Sequence, residues 1–248
     1  MIYHKIIKTF VYGLPTDSIF FKPKVVKMKY KLVIWDFDGV IADSEKVWLK
    51  NRQESLNKKF GLNWDFQTTN KYLGGMSDKT KQQVLEKMGY ITDDIFWDEQ
   101  IKLDMAAMRQ NGLDVTPYVE KLIKKLPKQC IATGGVMTKT KVKLEVIGFW
   151  NKYFNEQNLF TVDMVKHGKP EPDLFLYAAQ RMGEKPENCI IIEDSIAGMT
   201  AAQKAGIDVI AFLGCEMYHN DAYLQRVKEL GVKNICYTMQ EVEKIVLD

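Results

Sequence analysis

The feature that most constrains this chain is an alternation. Five short apolar runs, KLVIWD (31–36), QCIAT (129–133), NCIIIED (188–194), DVIAFL (208–213) and KNICY (233–237), are separated by stretches with helical spacing. Those stretches lie at about 117–126, 138–149, 173–182, 196–205, 220–230 and 239–246. Runs this short and this continuously apolar suit strands buried on both faces. Strands alternating with helices imply an α/β protein, a parallel sheet covered by helices on each side. Gly206, immediately before the fourth run, fits a helix stop.

Between the first run and residue 115 the pattern is helical throughout. Leu49, Leu56 and Phe60 keep helical spacing and Gly61 follows as a stop. Ser77 is placed to cap a helix through about Met88. Thr92, with Asp93 and Asp94 behind it, suits another start, because carboxylates are favoured in a first helical turn. Trp97, Ile101, Met105 and Met108 then form one face and Gly112 ends it, a face that reads as helix core. The chain therefore divides into an extension (1–27), an α/β core (28–44 and 113–248) and an inserted helical segment (45–112).

Composition narrows the function classes. Of 248 residues, 46% are hydrophobic and 27% charged, which excludes collagen, coiled coil and wholesale disorder. No stretch approaches the roughly 20 apolar residues of a membrane span. Cys130, Cys189, Cys215 and Cys236 form no CxxC pair, so neither a disulfide framework nor a zinc knuckle is expected. They read as small core residues in a protein of the reducing cytoplasm. The net charge of +3 resides in residues 1–27, which hold five lysines against one aspartate, and the rest is nearly neutral. A nucleic-acid or membrane partner is accordingly not expected. The extension lacks the uninterrupted apolar core of a signal peptide and is expected to be poorly ordered rather than a targeting tail.

The chemistry lies at the ends of the apolar runs. Asp36-Phe37-Asp38-Gly39-Val40 closes the first, where a parallel sheet forms its sites. Asp-Gly is also turn chemistry, but two carboxylates two residues apart are costly to leave unpaired. The second run ends in Thr133-Gly134-Gly135, a hydroxyl and unobstructed amides that suit phosphate oxygens or simply a loop. The third ends in Glu193-Asp194-Ser195 ahead of the small-residue stretch Ile196-Ala197-Gly198. Oxygen ligands from Asp36, Asp38 and Asp194 suit a hard cation such as Mg²⁺. Lys169, in a stiff loop that holds Pro170 and Pro172, supplies a cation to offset the acids.

Together DFDGVIADSE (36–45), ATGG (132–135), GKPEPD (168–173) and IIEDSIAG (191–198) resemble the haloacid dehalogenase superfamily of phosphatases and phosphomutases. The likeness covers about residues 30–240, and is to the branch with a helical cap inserted after the first motif. It implies a Rossmann-like core, a cap over 45–112 and a Mg²⁺-dependent phosphatase acting on a small phosphorylated metabolite, a sugar phosphate or sugar-acid phosphate. In that likeness Asp36 is the nucleophile and Asp38 the proton donor and acceptor. Thr133 and Gly134 hold the phosphoryl oxygens, and Lys169 offsets their charge. Mg²⁺ falls to Asp36, the main-chain carbonyl of Asp38, Asp194 and, through water, Glu193. Gly75, Met76, Ser77 and Glu45 are the cap-side candidates for reading the substrate; Glu45 serves equally as an ordinary first-turn acid. Asp38 argues against dehalogenation, since halide leaves without a proton. The family usually carries Asn or Ser where Gly134 stands. Sugar-phosphate mutases of the β-phosphoglucomutase type are the alternative, but Asp78 stands where they carry an arginine for a second phosphate. A binding protein that keeps the fold without turnover is the other alternative.

Overall fold

The structure, a computed structural model, describes residues 29–74, 76, 78–215 and 221–247. Residues 1–27, Gly75 and Ser77 lie outside them, so the expectations for the extension and for two of the cap-side residues are not addressed.

The chain opens with β1 (Leu32–Trp35) and a two-residue β2 (Ala42–Asp43). Four helices follow: α1 (Glu45–Phe60), α2 (Phe66–Leu73), α3 (Asp78–Lys87) and α4 (Asp94–Asn111). β3 (Asp114–Val115) then pairs antiparallel with β2, so the chain leaves and re-enters the α/β body at one short ribbon. Next come α5 (Val119–Ile123), β4 (Gln129–Thr133), α6 (Met137–Val146), β5 (Leu159–Thr161), α7 (Asp173–Arg181) and β6 (Cys189–Glu193). The chain finishes with α8 (Ile196–Ala205), β7 (Asp208–Phe212), α9 (Asp221–Glu229), β8 (Asn234–Cys236) and α10 (Met239–Leu247). The main sheet is parallel, ordered β5-β4-β1-β6-β7-β8. Its order reverses around β1, which places the carboxyl ends of β1, β4 and β6 side by side, the usual location of a ligand crevice.

Alternate residues of these strands feed two cores. Val33, Trp35, Ile131, Ile190 and Ile192 pack with Val119, Leu122, Leu144 and Val242 on one face. Leu32, Ile34, Cys130, Cys189 and Ile191 pack with Phe175, Ala178, Met199 and Ala202 on the other. Both faces are covered, which is why the runs are apolar without alternation. A third cluster, with Leu49, Leu56, Leu73, Leu85, Phe96 and Trp97, is the core of the four-helix segment.

Five strands were legible; the sheet has six. β5 is an edge strand of three residues, LFT, too short to stand out as an apolar run. α2 carries Thr68, Thr69 and Asn70 in its interior, poor helix formers that hide it; Asp65 caps it by accepting from the Thr68 N–H at 2.8 Å. The expected helix start at Thr92 moves by one residue: Asp93 is the cap, accepting from the Phe96 N–H at 2.8 Å, while the Thr92 hydroxyl takes the Trp97 indole N–H. The expected 117–126 helix shortens to α5, and 138–149 ends at Val146. Cys130, Cys189 and Cys236 are buried as expected; Cys215 is only half-buried, with Sγ 3.7 Å from Asp43 Oδ2.

Candidate active site

β1 delivers Asp36 to the sheet's carboxyl edge, its N–H bonded to the Ile192 carbonyl of β6 at 2.9 Å. The next turn is tight: the Phe37 carbonyl accepts from Ile41 and Ala42, and the Gly39 N–H donates to the Ala42 carbonyl at 3.0 Å. Gly39 has φ +77°, and a β-carbon there would lie 1.8 Å from Asp194 Oδ2. Only glycine allows this turn to close on that carboxylate. A second close approach lies beneath it. A β-carbon on Gly198 would lie 2.0 Å from the Glu193 carboxyl, so the lack of a side chain at this position in the first turn of α8 is what admits Glu193.

Lys169 knits the acids together. Its Nζ lies 2.6 Å from Asp36 Oδ1 and 2.7 Å from Glu193 Oε2. The other Glu193 oxygen accepts from the Asp194 and Ser195 N–H groups and from the Ser195 hydroxyl at 2.7 Å. Both Glu193 oxygens are thus engaged by protein donors, one of them by Lys169. Burial pushes the Asp36 carboxyl up to about 7; Lys169 opposes this, while Glu193 and Asp38 reinforce it. Burial works to lower Lys169, but Asp36 and Glu193 outweigh it and the ammonium is held above its ordinary range. Glu193 is likewise penalised by burial, yet Lys169 and Ser195 hold it below the ordinary carboxylate range.

Carboxylate oxygens of Asp36, Glu193 and Asp194 fall within 4.8 Å of one another, all buried. Hard oxygen donors this close and this dry fit a small divalent cation such as Mg²⁺. The Asp38 side chain is turned elsewhere: both of its oxygens accept from Lys143 Nζ, at 2.6 and 2.7 Å, and one also accepts from the Ser44 hydroxyl.

Asp36, Asp38, Thr133, Gly134, Lys169, Glu193, Asp194, Glu45 and Met76 line one cavity of about 440 Å³. That size suits a small metabolite. Thr133 ends β4 almost fully buried, with its hydroxyl accepting from the Gly135 N–H at 3.2 Å. Lys46 and Lys50, on the first helix, are exposed. His167 pairs with Asp173 at 3.0 Å on the surface.

The cavity also holds residues that motif reading missed. Lys139 and Lys143, one helical turn apart on α6, both point into it. From α1, α3 and α4 come Trp48, Arg52, Lys81 and Asp104, beside Asp78, which the cap-loop comparison had already singled out. The Arg52 guanidinium meets Asp104 in a fork at 2.9 and 3.1 Å. Lysines four apart immediately after a glycine loop were the available signal for α6. Nothing in the local pattern of α1 distinguished Arg52 from an exposed helical arginine.

An acid at the end of the central strand is thus faced by a buried lysine, beside a buried carboxylate cluster that could hold a cation. Residues 33–212 match the family model for haloacid dehalogenase-like hydrolases, and the chain belongs to that family. Fructose-1-phosphate phosphatase YqaB of Escherichia coli is 29% identical over 184 residues, 73% of this chain and 96% of that protein. (DL)-glycerol-3-phosphatase 2 of Arabidopsis thaliana is 29% identical over 192 residues, 72% of this chain and 77% of that protein. Among solved structures, a haloacid dehalogenase family hydrolase of Deinococcus radiodurans with bound phosphate and sodium has a TM-score of 0.69. It is 25% identical and covers 86% of this chain and 93% of its own.

Proposed function

We propose that the protein is a Mg²⁺-dependent phosphatase that hydrolyses a small phosphorylated metabolite, a sugar phosphate, through an aspartyl-phosphate. One observation carries the reading: Asp36, Asp38, Thr133, Lys169 and Asp194, from four separate loops, face one cavity. The phosphoric monoester hydrolase class agrees with the activities named for the relatives above.

Asp36 attacks phosphorus and the ester oxygen leaves, giving an acyl phosphate on Asp36 and a free alcohol. Asp38 donates the proton the alkoxide needs, then takes one from the water that cleaves the acyl phosphate. The Thr133 hydroxyl and the Gly134 N–H hold phosphoryl oxygens, and Lys169 offsets their charge. Two unit charges 4 Å apart repel by about 4 kcal/mol at an effective dielectric of 20, which is the scale of the problem the buried lysine addresses. Mg²⁺, held by Asp36 and Asp194 with the Asp38 carbonyl, would supply Lewis-acid polarisation of the phosphoryl group and keep Asp36 ionised. The helical segment 45–112 acts as a cap that closes over the cavity and excludes water. Among the described residues no helix is long and apolar enough to cross a membrane, and we place the enzyme in the cytoplasm.

The test is phosphate release from a panel of sugar, polyol and aryl phosphates, with Mg²⁺ and with chelator. Release is expected in Mg²⁺ only, and Asp36→Asn should abolish it. Silence across the panel would refute the assignment. Accumulation of an isomerised sugar phosphate in place of phosphate would make the enzyme a mutase.

A further inference from the structure

The half of the cavity away from Asp36 has an unusual charge balance. Three cations face it, Arg52 of α1, Lys81 of α3 and Lys139 of α6, and each is tied to one carboxylate. Asp78, the first residue of α3, lies 3.7 Å from Arg52 Nη2, 3.5 Å from Lys81 Nζ and 2.8 Å from Lys139 Nζ. Asp104 accepts from both Nη atoms of Arg52, and Gln100 from Nη1 at 3.2 Å. Lys81 is 1% exposed, its ammonium over the Trp48 ring at 3.3 Å from the centroid. Burial brings Lys81 down to about 8, against the pull of Asp78 and Glu45. Burial also opposes ionisation of Asp78, but Lys81, Lys139 and Arg52 bring it to about 2. Glu45, Asp78 and Asp104 therefore equal these three cations in number, so each cation already faces an anion.

We propose that Asp78 determines specificity by occupying the cations that would otherwise bind a second anionic group. The substrate body opposite the reacting phosphoryl group is then neutral and hydroxyl-rich. An entering phosphate or carboxylate would have to displace an anion fixed to α3 by its own backbone. It would also sit against Asp104 and Glu45, a repulsive element of the kind that separates similar ligands. A hydroxyl can instead share the ammonium donors that Asp78 leaves unused, since each lysine carries three, while Trp48 offers an apolar wall. This deepens the phosphatase reading and rests on it.

The probes are fructose 1-phosphate and fructose 1,6-bisphosphate, which share a skeleton and differ by one phosphate. Each is assayed as a competitive inhibitor of p-nitrophenyl phosphate hydrolysis in Mg²⁺, so neither needs to be turned over. The wild-type protein is expected to favour the monophosphate by at least about tenfold in Ki. Asp78→Asn, which frees Lys81 and Lys139, should bring the ratio within about threefold, through tighter bisphosphate binding. Equal wild-type constants, or an unchanged ratio in Asp78→Asn, would overturn the proposal. Where Asp78→Asn fails to fold, Asp78→Ser is assayed in its place with the same two outcomes, and equal wild-type constants overturn the proposal in either case. If no phosphate is released from any ester, the hydrolase reading fails alone. The same ratio is then measured by calorimetry on Mg²⁺-saturated protein, with the same two outcomes.

Discussion

Lys143 is the most informative residue to perturb. Its Nζ lies 2.6 and 2.7 Å from the two oxygens of Asp38, and its side chain is 8% exposed. At an effective dielectric of 20, unit charges 2.7 Å apart attract by about 6 kcal/mol. Water reduces this, because the Asp38 side chain is 38% exposed. Breaking a fully buried pair costs about 3–5 kcal/mol and an exposed one under about 1. This half-buried pair belongs between them, at about 2 kcal/mol. Lys143→Met keeps the stem and the packing against α6's neighbours while removing the charge. If the pair aims Asp38 at the leaving oxygen, about 2 kcal/mol appears as a loss of roughly 30-fold in kcat, with KM little changed. Steady-state phosphate release from a sugar phosphate measures it. The decisive comparison is a double-mutant cycle with Asp38→Asn: once the carboxylate is gone, Lys143→Met should cost less than about threefold. An equal loss in both backgrounds, or wild-type kcat in Lys143→Met, would show that Lys143 is packing and not a positioning residue for Asp38.

Three further outcomes follow from the geometry. Gly39→Ala must strain a φ of +77° and push a methyl into Asp194, so Mg²⁺ should bind at least about tenfold more weakly, measured by calorimetry, with a lowered Tm. Mg²⁺ at about 100 times its Kd should stabilise the fold by about 2.7 kcal/mol, read as a thermal shift that Asp194→Asn loses. Asp78 has its folded pKa depressed from 3.8 to about 2, so its stabilisation is present above pH 4 and lost as pH falls towards 2. For a side chain one-third exposed the loss is about 1 kcal/mol after screening. Urea melts at pH 5 and pH 2.5 should show that much less difference in Asp78→Asn, and an identical difference would remove Asp78 from the acid limb.

What the sequence revealed and what it concealed divide along a physical line. The α/β body was legible because a strand buried on both faces must be apolar through its interior, as CIII (189–192) is before the strand ends in Glu193. The acids were legible because a parallel sheet brings the ends of β1, β4 and β6 together whatever else the chain does, so Asp36, Thr133 and Asp194 meet by topology alone. Lys169 was legible for a weaker reason, its place just ahead of two prolines in a stiff loop, and the structure joins it to both Asp36 and Glu193. The concealed residues are the counter-charges on helices. Lys143 lies between Val142 and Leu144, and only the placement of α6 decides that its amine reaches Asp38 rather than water. Arg52, Lys81 and Asp104 lie on three helices whose mutual packing no strand register dictates. A carboxylate at a strand end announces a site because burying it unpaired is costly. The cation that satisfies it is a lysine like any other until the helices are placed. Specificity, which here resides in those pairings, is therefore the last property that a single sequence discloses.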